Sequence, residues 1–227
     1  MTTLAVLRPE PGNAATIARA HTAGFTTLSL PLFAVRALAW EVPDTERFDS
    51  LILTSANALR FGGLGLGALR RLPVLAVGPH TAAAARAAGF DVMAIGDGTA
   101  AEIAAIATAH GFTNALHLTG RDRTLERDGA IATVVPVYES ATIPVDDAAL
   151  HALYGTTALL HSARAAQRLA ALIAGAGMDR AALGIAAFSS AIATAAGSGW
   201  REVAIARTPD DAALFAAVQA RGSTTSR

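Results

Sequence analysis

Hydroxyl, glycine and arginine residues recur in this sequence directly after short apolar runs. The turns are Arg8-Pro9, Thr54-Ser55-Ala56-Asn57, Gly78-Pro79-His80-Thr81, Gly120-Arg121-Asp122-Arg123, Ser162-Ala163-Arg164 and Ser189-Ser190. Several of them immediately precede an Ala-rich helical pattern. A helix start offers free backbone N–H groups and the positive end of the helix dipole, which suits a carboxylate or a phosphate. In parallel α/β sheets ligands bind at the carboxyl ends of strands, where these turns fall. Ser, Thr and Asn at such places also act as plain helix N-caps, and each turn taken alone reads that way. Six of them on one side of two sheets read as an anion-binding cleft.

Other chemistries have little to stand on. The chain has no Cys and no Lys, which removes thiolate nucleophiles, cysteine metal sites, Schiff bases and a phosphate-loop lysine. His21, His80, His110, His117, His151 and His161 show no metal-ligand spacing, so no metal and no cofactor is expected. Gly63-Leu-Gly-Leu-Gly-Ala68 matches a dinucleotide fingerprint formally, but it follows a helix pattern rather than a strand and reads as a flexible surface loop. Basic and acidic residues balance at 18 each, without the excess that a nucleic-acid or membrane-surface binder needs. The charge-free stretch 181–200 is mostly Ala, Gly and Ser and does not read as a membrane span. The expectation is a cytoplasmic protein acting on a small molecule.

Strands and helices must alternate to hold these turns. Strands are expected over 3–7, 27–30, 50–54, 73–77, 91–95, 114–118, 131–138, 157–160, 184–187 and 202–205. Helices are expected over 13–23, 56–61, 80–88, 99–109, 146–153, 163–174, 190–197 and 210–220, with Asn13, Thr99 and Asp210 as N-caps. That order predicts α/β architecture with parallel sheets covered on both faces. An internal repeat lies ungapped: 75–90 over 185–200, with 51–55 pairing with 158–162. Two Pro-punctuated extended stretches, 31–40 and 134–144, fit neither copy and read as connectors crossed once in each direction.

Leu7-Arg8-Pro9, the run Phe48 to Ala58 containing Thr54-Ser55-Ala56-Asn57, Ala76-Val77-Gly78-Pro79-His80-Thr81-Ala82, Leu118-Thr119-Gly120-Arg121 and Val137-Tyr138-Glu139 together resemble uroporphyrinogen-III synthase, in order and spacing, from residue 4 to about 220. The resemblance implies two similar parallel-sheet α/β domains joined by a two-stranded connector, with an active-site cleft between them. Residues 1–32 plus 143–221 would form a discontinuous domain, 39–133 an inserted one, 33–38 and 134–142 the connector strands, and 222–227 a disordered tail. It further implies a cofactor-free lyase, a monomer, acting on the linear tetrapyrrole hydroxymethylbilane. The substrate would lose water and close, with inversion of ring D, to uroporphyrinogen III. By the same resemblance Tyr138 matches a tyrosine that assists departure of the hydroxyl group; it is otherwise an aromatic packed at the connector. Arg8, Thr54, Ser55, Asn57, Gly78, His80, Thr81, Gly120, Arg121, Ser162, Arg164, Ser189 and Ser190 would bind substrate. The sequence departs from the family where the second copy reads Phe188-Ser189-Ser190-Ala191 instead of Gly-Pro-x-Thr, and where only Thr124 to Arg127 is left to form a helix after Arg121. A non-catalytic hinge protein closing on a small polycarboxylate is the other reading.

Overall fold

The computed structural model describes residues 2–96, 100–122 and 129–222. In chain order the elements are β1 (Thr3–Val6), α1 (Gly12–Thr22), β2 (Thr26–Ser29), β3 (Phe33–Ala37), β4 (Ser50–Leu53), α2 (Ala56–Phe61), β5 (Val74–Val77), α3 (Gly78–Ala87), β6 (Val92–Gly96), α4 (Ala100–Ala109), β7 (Ala115–Gly120) and β8 (Ile131–Thr142). There follow α5 (Asp147–His151), β9 (Thr157–Leu160), α6 (Ala163–Gly175), β10 (Gly184–Ala187), α7 (Ser190–Ala195), β11 (Glu202–Ile205) and α8 (Asp211–Gly222). The chain divides into two compact units, Met1–Ala34 with Thr142–Arg227, and Val35–Ala141.

The first sheet has the order β11-β10-β9-β1-β2, all parallel. Strand alternation sends Ala5, Leu7, Ala158, Leu160, Ile185 and Ala187 to the face covered by α6 and α7. Leu4, Val6, Leu159, Ala186 and Ala204 go to the other face, against Ala20 of α1 and Leu214, Phe215 and Val218 of α8. The second sheet has the order β3-β8-β7-β4-β5-β6, parallel from β8 to β6. One face packs Leu51, Leu53, Val74, Ala76, Leu116 and Leu118 on α2 and α3. The other packs Ile52, Leu75 and Ala115 on Ile103 and Ala107 of α4. Buried on both faces, these strands read as unbroken apolar runs.

The repeat is visible in the backbone. Ser55 and Ser162 follow matching strands, share an extended conformation (φ −155° in both) and cap α2 and α6, accepting from the N–H of Asn57 and Ala165. Ser162→Ala should lower stability by about 1 kcal/mol through loss of that cap, read as a drop in the melting temperature.

Several expectations change. Asn13 is not an N-cap: it lies inside α1, wholly buried, with Nδ2 donating to the carbonyls of Val6 and Arg8 and Oδ1 accepting from Ser29 Oγ. The Gly63–Leu69 segment is a 3-10 helix rather than a flexible loop. A Cβ on Gly65 would stand 2.6 Å from the Trp40 ring, so this glycine serves a close approach. The strands expected from residue pattern omit 33–37, and the one from 131 ends at 138, whereas β3 spans Phe33–Ala37 and β8 continues to Thr142, each ending within one residue of the connector-strand bounds that the resemblance implies. The N–H of Leu38 donates to the Val137 carbonyl and that of Ile143 to the Leu32 carbonyl, so β3 and β8 run antiparallel. Asp210 caps α8 through the Ala213 N–H, 2.8 Å. Thr99, the 124–127 helix and residues 223–227 lie outside the described residues, while residue 222 closes α8. No described helix is long and apolar enough to cross a membrane.

Candidate functional site

In the Val35–Ala141 unit, register sets the site. Leu53 is level with Ala76 and Leu118, and Gly120 is level with Tyr138. The turns that follow β4, β5, β7 and the Tyr138 position of β8 therefore fall in one row along the carboxyl edge of the sheet. In that row Ser55 caps α2, and Thr54 Oγ1 lies 3.1 Å from Nε2 of His117, a wholly buried residue of β7. Asn57 accepts from Arg60 Nη1. Gly78 leaves β5 at φ +77°, a conformation that favours glycine, and starts α3 with Pro79 next. No side chain caps α3, which leaves its first-turn N–H groups available. His80 is exposed. Thr81, in the first turn of α3, is 5% exposed.

Tyr138 is half-buried and lies on the backbone of Gly120, where an added Cβ would meet the ring at 2.7 Å. Phe61 is the next aromatic, 6.3 Å between centroids. The Arg121 N–H donates to the Tyr138 carbonyl (2.8 Å) and its Nη1 to Glu139 Oε2 (2.5 Å). Glu139 also takes Nε of Arg36 on Oε1 at 2.6 Å.

The other unit holds the remaining residues. The Arg8 guanidinium lies across Gly12, with Nη1 3.4 Å from Thr16 Oγ1. Ser162 and Ser189 cap α6 and α7, and Ser190 is the exposed first residue of α7. The Arg164 guanidinium stacks 4.6 Å from the Phe33 ring centroid. Beneath these, His161 Nε2 meets Asp211 Oδ1 at 3.0 Å, while Thr16 Oγ1 and Arg19 Nε donate to Oδ2, each at 2.8 Å. Burial pushes the Asp211 carboxyl up, but the hydrogen bonds from His161, Arg19 and Thr16 outweigh it and hold it well below the ordinary carboxylate range. Phe188 packs edge-on against His161, 4.6 Å between centroids. That contact accounts for an aromatic where the first copy has Gly78.

Sequence reasoning singled out none of His117, His161, Asp211 or Arg36, and passed over Glu139 as a site residue. Each acts through a partner distant in the chain; Arg36 and Glu139 are 103 residues apart, and no spacing signals such a pair. Among the described residues no group of three His, Asp or Glu side chains converges as a metal site would require.

The family model described as HEM4, uroporphyrinogen-III synthase HemD, matches residues 14–216. The chain belongs to the uroporphyrinogen-III synthase family. The structure of uroporphyrinogen-III synthetase from Helicobacter pylori is similar over 97% of this chain and 100% of its own, at 16% identity and a TM-score of 0.65. A mutant uroporphyrinogen III synthase from the thermophilic bacterium Thermus thermophilus is similar over 99% of both chains, at 17% identity and a TM-score of 0.53. At these identities the likeness carries the fold, and it bears out the α/β reading with two parallel-rich sheets. No curated protein matches this chain by sequence.

Proposed function

We propose that this member of the uroporphyrinogen-III synthase family catalyses the family reaction: dehydration of hydroxymethylbilane and its cyclisation, with ring D inverted, to uroporphyrinogen III. The observation that carries the reading is the row at one sheet edge, where Ser55, the uncapped start of α3, Gly120 and Tyr138 fall level. The uncapped N–H groups of α3 suit a substrate carboxylate. Tyr138 supplies the one phenol in that row, and a phenol donates a proton to a leaving hydroxyl.

In this reaction water leaves the hydroxymethyl group with the Tyr138 proton while the pyrrole nitrogen, keeping its own proton, supplies the electron pair, giving an N-protonated azafulvene. Attack by the substituted carbon of ring D forms a spiro-pyrrolenine, which rearranges to the inverted ring. The proton released when the closed macrocycle regains its pyrroles restores the phenol. The azafulvene forms readily, so the protein's main contribution is geometric: anchored carboxylates bring the substituted carbon of ring D to the azafulvene. Arg8, Ser162, Arg164, Ser189 and Ser190 are proposed as further carboxylate contacts on the other unit.

The test is a coupled assay with enzymatically generated hydroxymethylbilane, resolving isomers I and III by chromatography. Isomer III is expected from a chelator-treated, cofactor-free preparation. Isomer I alone, at the uncatalysed rate, overturns the reading, and tight substrate binding without turnover would mark a non-catalytic polycarboxylate binder.

A further inference from the structure

The row at the sheet edge continues one strand further than the sequence motifs reach. The antiparallel register that pairs Leu38 with Val137 and Leu32 with Ile143 sets Arg36 of β3 directly opposite Glu139 of β8. On the other side of β8, Arg121 follows β7 and reaches the same carboxylate. Glu139 is thus gripped from both neighbouring strands: Arg36 Nε and Nη2 on Oε1, each at 2.6 Å, and Arg121 Nη1 on Oε2.

The arrangement is lopsided in burial. The Glu139 side chain is 11% exposed, whereas Arg36 is 67% exposed. Two guanidiniums face this one carboxylate. An ion pair serving stability alone gains little from so exposed an arginine. What the buried carboxylate does achieve is orientation. Held through Nε and Nη2 on one oxygen, the Arg36 guanidinium is fixed in plane while its remaining N–H donors are directed away from Glu139; among the described residues these make no other side-chain hydrogen bond.

We infer that Arg36 is a substrate-carboxylate anchor of the proposed reaction, and that Glu139 is the residue that positions it. The inference rests on that reading of the function and extends it to residues outside the motifs. From β3 to β5 the row crosses four inter-strand intervals, roughly 19 Å at ~4.8 Å each. Successive strand residues leave on opposite faces, so Tyr138 and the Arg36 guanidinium held by Glu139 lie on different sides of the edge, and a ligand that meets both must bend over it. A chain of four pyrroles joined by methylene bridges bends in that way and carries acetate and propionate groups along its length.

The experiment measures KM and kcat for isomer III formation in Arg36→Gln, Arg36→Lys and Glu139→Gln, with melting temperatures. It also titrates each protein with uroporphyrin III, an oxidised form of the product that needs no turnover. Arg36→Gln should raise KM and weaken uroporphyrin binding roughly tenfold, as loss of a charge-assisted contact would, with kcat within about twofold of wild type. Arg36→Lys should recover part of the loss, and Glu139→Gln should raise KM with Arg36 still present. Unchanged KM and porphyrin affinity in Arg36→Gln overturns the assignment. So does a fall in melting temperature and kcat with KM unmoved, the mark of a structural role. Absence of isomer III from the wild type overturns the reaction itself. In that case a tenfold weaker uroporphyrin titration for Arg36→Gln would still support the anchor, and an equal one would end it.

Discussion

Asp211→Asn is expected to lower the unfolding free energy at pH 7 by about 2–4 kcal/mol, because it removes the charge at the centre of a buried network. Asp211 is 6% exposed and joins three elements: His161 beyond β9, Thr16 and Arg19 on α1, and its own helix α8. An ionised carboxylate only accepts, so Nε2 of His161 carries the proton toward it. Its Nδ1 is buried without a hydrogen-bond partner, so the Asp211 contact is what fixes the ring polarity. An amide cannot accept on both atoms, and one of these donors would be stranded. The pH dependence has a definite sign. The folded-state carboxyl is depressed below its ordinary value of 3.8. The stabilisation from its ionisation is therefore complete well above that value and is lost as the pH falls below it. Urea unfolding of wild type and variant should show the gap narrowing by about 1 kcal/mol at pH 3. A gap of the same size at both pH values would show that the charge is not what stabilises.

Tyr138→Phe should reduce turnover about a hundredfold or more, the usual contribution of a proton donor in the transition state, and leave KM nearly unchanged. Gly120→Ala supplies the geometric counterpart. The phenol remains, but a Cβ 2.7 Å from its Cε2 must displace the ring or bend β7. Overpacking of this kind costs about 1–3 kcal/mol, so its melting temperature should fall along with its rate. If Tyr138→Phe keeps its turnover and melts at a lower temperature, the residue is a packing aromatic on Gly120. The protein would then act chiefly by folding its substrate.

Most elements were legible because strands such as Leu51–Leu53 and Ile185–Ala187 are buried on both faces and stand out as apolar runs before Ser, Gly or Thr. Residue patterning alone left 33–37 out of the strands, since Pro31 and the polar Arg36 make it read as a connector, and only the family resemblance named it a connector strand. Its pairing depends on β8, a hundred residues away. Pro136 was read as punctuation, yet it lies inside β8 opposite Thr119, next to a register shift at Gly120 that accommodates it. At the candidate site, turn residues were recoverable because helix starts restrict residue type. The start of α3 lies at Gly78, two residues before the expected helix start at His80, so Thr81 falls within its first turn. Glu139 and Arg36 needed cross-strand register, a tertiary fact without a local signature.

The position of β1 bears on how the molecule is made. That strand is interior to its sheet, with the edge strand β2 on one side and β9 on the other, and Leu4 lies opposite Thr157. On the ribosome the first strand emerges about 150 residues before that neighbour exists, a delay of roughly 10–30 s at ordinary elongation rates. Throughout it, Leu4, Ala5 and Val6, fully buried in the finished protein, have β2 as their one sheet neighbour and α1 as cover on one face. Residues 35–141 are contiguous and complete their own sheet in the meantime, apart from the strand ends shared with the flanking chain. Assembly of this sheet is therefore ordered by translation, with the β9-facing side of β1 left as a sticky edge, open to holdase chaperones until β9 is made.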